Sequence, residues 1–354
     1  MSNNQLTRRE FMRFAALAGT GLATTSLLNA CAPAPTATPV PPPATPTPLP
    51  PPETTTIRLN IGACDLAIVA AERYLRDEGF TAVQFFDGGE GNALASIIGG
   101  KADLTTIFIH HLAVGVEAGK PVVALGGLHT GCAQIWAPPG VATLKDLSGR
   151  TVVQHSKVPD DFIYAFLAIC LKNAGVDPGS VNFVFQSDAD LTKLFLDGKN
   201  DALFLATTGA VAFLTNPANK GHVVLDQAMD APWSAEDCCA LTTTTDWVKA
   251  NPVAAKRALR AIYRAADAIP ADRADAAKIA TDKGLFGGAK NVDLVRGASN
   301  MVSYDWRKYD FAESMRFHAK LLNEVGLLKM TPDEAVTKAT DSRIYRQLQS
   351  ELTR

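Results

Sequence analysis

The chain has 354 residues, 47% of them hydrophobic, which is enough for two domains whose apolar cores need no metal or disulfide support. Its formal net charge is -2, with acidic and basic residues interspersed. That pattern offers no basic stripe to nucleic acid and no polybasic patch to a membrane surface, so nucleic acid is not expected as a partner.

Residues 1–30 read as an export address. Thr7, Arg8, Arg9, Phe11 and Arg13 precede an apolar, small-residue run over 14–28 that is short for a transmembrane helix and ends close to Cys31. The order Ser/Thr-Arg-Arg-x-Phe-x-basic resembles a twin-arginine signal. Leu28-Asn29-Ala30-Cys31 resembles a lipobox, in which cleavage leaves Cys31 as a lipid-bearing N-terminus, although Asn29 departs from the small residues usual there. Residues 31–55 are nearly all Pro, Thr or Ala, cannot bury apolar surface and favour polyproline II geometry. At about 3 Å per residue such a tether holds a folded body about 60 Å from its anchor.

From Ile57 onward, short β-rich runs alternate with helical stretches, the signature of parallel sheets covered by helices. Strands are predicted over 57–61, 82–86, 104–108 and 122–125, with helices over 66–77, 93–99 and 111–118 between them. A second run has strands over 151–155, 181–185, 202–205 and 223–225 and helices over 161–173, 191–196 and 209–214. One more strand, 239–244, leads into a helix-rich tail expected to return to the first lobe. The predicted division is lobe I over 56–130 and 238–354, and lobe II over 131–237 with the crossovers.

Several phrases recur in order along this part: Gly88-Gly89-Glu90-Gly91-Asn92, residues 95–103 closing on Gly-Lys-Ala-Asp, Gly119-Lys120-Pro121-Val122, residues 144–152, and Leu196-Asp197-Gly198-Lys199-Asn200-Asp201-Ala202. Together they resemble the nitrate, sulfonate, taurine and thiamine-precursor group of solute-binding proteins. The resemblance implies an α/β, two-lobed periplasmic-binding-protein fold of type II. It also implies two crossovers acting as a hinge, a ligand held in the cleft, and an ABC permease with its ATPase as partners.

In open α/β sheets the binding crevice lies beyond the carboxyl ends of the strands. That rule selects Asp65, Asn92, Phe108, His110 and His129 in the first lobe and His155, Asp161, Phe162 and Thr207 in the second; the crossover adds Trp233 and Asp237. Anionic ligands are best held by Arg or Lys, and apart from Lys157 these loops carry neither. Carboxylates, histidines and rings suit an uncharged or weakly basic aromatic heterocycle instead. Within the resembling group riboflavin is the first choice, partly on resemblance to its flavin-binding lipoproteins. A thiamine pyrimidine precursor comes next, then sulfonate, taurine or nitrate. Plainer readings stand beside these: Asp65 and Asp161 are equally good helix caps, His129 and His155 suit ordinary polar loops, and Trp136, Trp247 and Trp306 are packing residues.

Besides Cys31 there are Cys64, Cys132, Cys170, Cys238 and Cys239, an odd number without CxxC spacing. They specify neither a disulfide framework nor a metal site, and Cys170 falls in an apolar stretch. His110-His111 has no metal-binding spacing either, so no metal or cofactor is expected. The fungal thiamine-pyrimidine synthases share the resembling fold and carry a cysteine cluster that Cys238-Cys239 matches only in part. With no nucleophile elbow, zinc-protease motif or phosphate loop, and with export implied, catalysis is not expected.

Overall fold

The computed structural model describes residues 50–156 and 162–352. Its ten strands are β1 (Thr56–Asn60), β2 (Ala82–Phe86), β3 (Thr105–Phe108), β4 (Val122–His129), β5 (Ala133–Ala137), β6 (Thr151–Gln154), β7 (Asn182–Phe185), β8 (Leu203–Ala206), β9 (His222–Asp226) and β10 (Cys239–Thr244). The expected export signal, Cys31 and nearly all of the tether lie outside the described residues.

The two halves of the molecule repeat one plan. In the first, β1 pairs in parallel with β2, a parallel bridge between Leu59 and Leu104 joins β1 to the start of β3, and β3 and β4 flank antiparallel β10. In the second, β6 pairs in parallel with β7, Asp201 N donates to Thr151 O to join β6 to the start of β8, and β8 and β9 flank antiparallel β5. The strand orders are therefore β2-β1-β3-β10-β4 and β7-β6-β8-β5-β9. In each half the lone antiparallel strand is the one that has just crossed over from the other half. This is the two-lobed α/β architecture expected from the sequence.

Nine of the ten strands fall within a residue or two of their predicted starts. Strand β5 was not anticipated: Ala133–Ala137 is buried at all five positions, so it shows no alternation, and it is too short to stand out as an apolar run. β4 runs four residues past its predicted end, through Gly126 and Gly127. A Cβ at Gly126 would come within 2.4 Å of the Tyr263 hydroxyl, and one at Gly127 within 2.2 Å of Asp237 Oδ2. The two glycines thus extend the strand by letting side chains from the tail and the crossover lie directly on its backbone.

The tail is dominated by the helix Pro252–Asp282, whose Tyr263, Ile262 and Leu259 are fully buried. It packs on the helices Leu66–Ala70 and Glu72–Asp77, as expected for a return to the first lobe. The helices Val292–Asn300 and Phe311–Glu324 go further and pack on Thr207–Leu214 and Phe162–Asn173 of the second half. The end of the predicted tether is also docked. Glu53 accepts from Val253 N (3.0 Å) and Ala254 N (2.8 Å), capping the long helix where its free N–H groups and dipole favour a carboxylate.

Glu78, 4% exposed, holds the same helix by accepting from Arg260 through Nε (2.7 Å) and Nη2 (2.5 Å), with Arg257 Nη1 at 3.4 Å. Glu78→Ala leaves two arginines facing an apolar gap and should cost about 3 kcal/mol in urea unfolding, in the range for breaking a buried pair; a loss below 1 kcal/mol would show the pair to be solvated.

Candidate functional site

The two crossovers run side by side. Cys238 N donates to His129 O (2.9 Å) and Gln227 N to Ala133 O (3.0 Å), so the chain leaving β4 and the chain entering β10 are hydrogen-bonded to each other. The tail secures the first crossover from outside, through a reciprocal pair between Thr130 and Ser303 at 3.1 Å each way. Between them the backbone turns sharply: Gly131 has φ +73° and Cys132 φ +139°, a region that side-chain-bearing residues rarely enter. A Cβ at Gly131 would lie 2.6 Å from Ala228 Cβ, so no other residue fits that position.

This geometry gathers four side chains that are far apart in sequence. Cys132 Sγ is 3.0 Å from Cys238 Sγ and 3.7 Å from Cys239 Sγ, and the latter two sulfurs are 3.5 Å apart. His129 Nδ1 is 3.2 Å from Cys238 Sγ, and Cys238 Sγ donates to Gly131 O at 2.7 Å. All four residues are buried, and no disulfide joins the cysteines. Burial alone would push the Cys239 thiol up, but hydrogen bonds from Cys132, Cys238 and Cys64 stabilise its thiolate and bring it well below the ordinary value. Burial likewise opposes a charged His129, and the Cys239 and Asp65 charges outweigh it and raise its pKa.

Asp65 lies against this centre, fully buried. It does not cap the helix that follows. Its carboxylate accepts from Gly62 N (2.7 Å) and Thr106 Oγ1 (2.6 Å), and burial raises its pKa to about 6. Asp237 packs flat on Gly127 of β4, where neither carboxylate oxygen has a hydrogen-bond partner and burial pushes its pKa well up. Such a group is held as the neutral acid.

Beside the thiol centre the two halves meet through rings. Phe108 and Phe162 stack, with centroids 5.1 Å apart and planes 14° apart, and Phe204 meets both edge-on. Trp233, 1% exposed, stands edge-on to Phe166 and Phe317. Polar contacts also cross: His110 Nε2 is 3.0 Å from Phe162 O, and Thr207 Oγ1 donates to Ala63 O at 2.7 Å.

The structure thus brings Asp65, Phe108, His110, His129, Phe162, Thr207 and Trp233 to one zone. Asn92 and His155 are exposed elsewhere: Asn92 closes its own turn through Gly88 O (3.0 Å), and His155 Nε2 sits 3.1 Å from Ala189 O. Asp161 lies outside the described residues. Sequence reasoning did not single out Cys132, Cys238 and Cys239 as a group, nor Phe166, Phe204, Tyr304 and His318. Cys132 is separated from Cys238 and Cys239 by more than a hundred positions, so only the pairing of the crossovers could have grouped them.

The family model described as NMT1/THI5 like matches residues 66–276. The chain belongs to the NMT1/THI5-like family. No curated protein matches it. Among solved structures it is similar to the alkanesulfonate-binding protein SsuA from Xanthomonas axonopodis pv. citri, with TM-score 0.63 and 16% identity over 82% of this chain and 99% of that one. The periplasmic nitrate-binding protein NrtA from Synechocystis PCC 6803 gives TM-score 0.65 and 17% identity over 85% and 90%. The conserved Candida albicans CA3427 gene product, which exhibits the generic periplasmic binding protein fold, gives 0.60 and 12% over 81% and 96%. At such identities the likeness establishes the fold.

One buried histidine of this NMT1/THI5-like chain makes its stability depend on pH. Burial pulls the pKa of His318 down to about 4, whereas the unfolded chain titrates near 6.5. The folded form keeps His318 neutral, so its stability is intact above pH 6.5 and falls as pH drops toward 4, by about 3 kcal/mol in full. His318→Gln, which retains a donor toward Asp237 O, should remove most of that acid loss when unfolding free energies at pH 7 and pH 4 are compared with the parent; an unchanged difference would place the titration elsewhere.

Proposed function

We propose that the protein is the extracytoplasmic solute-binding component of an ABC importer. It would be lipid-anchored through Cys31, with lobe I (56–130 and 238–354) and lobe II (131–237) closing over the ligand. Its partners in this reading are the permease and ATPase. The observation that carries the closure is the set of contacts between halves: Thr207 to Ala63, His110 to Phe162 O, and the Phe108–Phe162 stack. None of these can form when the halves are apart, which is how a ligand gripped by both would stabilise one shape for a membrane partner to read.

For the cargo we propose an aromatic heterocycle, riboflavin first and a thiamine pyrimidine precursor second. Support comes from the chemistry of the zone, where rings, carboxyls and imidazoles gather and no Arg or Lys is among the described residues named for it. A flat ring slid between Phe108 and Phe162 needs about 7 Å between them, twice a van der Waals contact of about 3.5 Å. Since they stand 5.1 Å apart, loading requires the halves to open slightly. The neighbours favour a second reading, a sulfonate or nitrate, which would call for donors other than basic side chains.

Thermal shifts of the protein against riboflavin, a thiamine pyrimidine precursor, taurine and nitrate decide between the two. Ligand at a hundred times its Kd adds about 2.7 kcal/mol of stability. A shift with riboflavin or the pyrimidine, weakened at least tenfold by Phe108→Ala, supports the ring-binding reading. A shift with taurine or nitrate alone overturns the cargo while keeping the transport role. No shift with any of the four removes the cargo reading altogether.

A further inference from the structure

We propose that His129, Cys132, Cys238 and Cys239 form a binding site for one thiophilic metal ion of the zinc class, placed where the two crossovers touch. Each ligand offers one donor atom, and these four atoms lie within 4.8 Å of one another. Zinc–sulfur bonds of about 2.3 Å and zinc–nitrogen bonds of about 2.0 Å, arranged as a tetrahedron, set sulfur–sulfur edges of about 3.8 Å and sulfur–nitrogen edges of about 3.5 Å. The Cys132–Cys239 and Cys238–Cys239 edges, 3.7 and 3.5 Å, already have that length. The Cys132–Cys238 edge, 3.0 Å, and the Cys238–His129 edge, 3.2 Å, are shorter and open by less than about 1 Å when an ion enters.

The donor set selects the ion. Three thiolates and an imidazole are soft to intermediate ligands, suited to zinc-class ions and poorly suited to calcium or magnesium, which take oxygen. A disulfide between Cys132 and Cys238 is the competing use of the sulfurs. It would draw those two to about 2.05 Å and leave the Cys239 thiol and the His129 ring without a role, whereas an ion engages all four groups. The unusual backbone at Cys132, φ +139°, lies where the first crossover brings that sulfur to the second. Binding displaces the remaining thiol protons to solvent and turns four buried polar groups into one satisfied centre.

The position gives the ion a mechanical consequence. His129 ends β4 and Cys132 precedes β5, while Cys238 precedes β10 and Cys239 begins it. Two ligands thus come from each crossover, and an ion bound to all four ties both connections together at the base of the hinge.

The test uses the full chain purified under reducing, oxygen-free conditions and dialysed against zinc or cobalt(II), with no solute added. We expect one ion per chain by elemental analysis, an intense thiolate-to-cobalt charge-transfer band with tetrahedral visible bands, and a higher melting temperature with metal than without. Cys132→Ser and Cys238→Ser should each weaken binding at least a hundredfold, whereas Cys170→Ser, in a helix away from the site, should not. If either serine variant fails to fold, the wild-type cobalt spectrum and His129→Gln decide alone. Sub-stoichiometric metal, a weak octahedral cobalt spectrum, uptake unaffected by Cys132→Ser, or a Cys132–Cys238 disulfide that takes up no metal after reduction would each overturn the site. Because the readout is metal, it is independent of which solute the cleft takes.

Discussion

The hydrogen bonds between the two crossovers are the constraint on which the rest of the structure depends. Cys238 N to His129 O and Gln227 N to Ala133 O hold two segments about a hundred residues apart in register. Once they are paired, each delivers its next strand into the middle of the other half's sheet, β5 between β8 and β9 and β10 between β3 and β4. Neither sheet is complete without a strand supplied across the hinge, so the halves cannot form as separate three-layered units and then dock.

Chemistry accumulates at that pairing for the same reason. The backbone there is committed to hydrogen bonds between crossovers and from Ser303, so side chains alone remain to fill the space enclosed between the halves. What fills it is unusual for an interior: Asp65 held by Gly62 and Thr106, three cysteine sulfurs within 3.7 Å of one another, and His129 beside them. An apolar core would stabilise the fold with less risk, since buried polar groups cost free energy unless each is satisfied. They gather where the two crossovers touch, away from the exposed turns at Asn92 and His155.

The aromatic stack beside the centre carries a different physical logic. Phe108, Phe162, Phe204, Phe166 and Trp233 come from both halves and a crossover, and their ring contacts join the halves. Rings that cover one another in the closed shape are available to cover a flat ligand in a slightly wider one, because stacking tolerates exchange of one π face for another. His110 and His318 lie among them, each with its pKa driven down by burial, so neither imidazole adds charge among the rings near neutral pH.

The amino-acid sequence by itself determined the alternation of strands and helices and the two-lobed α/β plan, because each rests on local periodicity and turn residues that neighbours in the chain decide. It also indicated the strand ends where Asp65, Phe108, His129 and Thr207 would gather, since topology places carboxyl ends of parallel strands on one edge. Strand β5 stayed hidden because full burial erases alternation, and the length of β4 because it depends on side chains from Tyr263 and Asp237 resting on two glycines. The thiol and imidazole centre was decided by tertiary structure alone. Cys132 and Cys238 are distant in sequence and 3.0 Å apart in space, and only the hydrogen bonding of one crossover to the other brings them together.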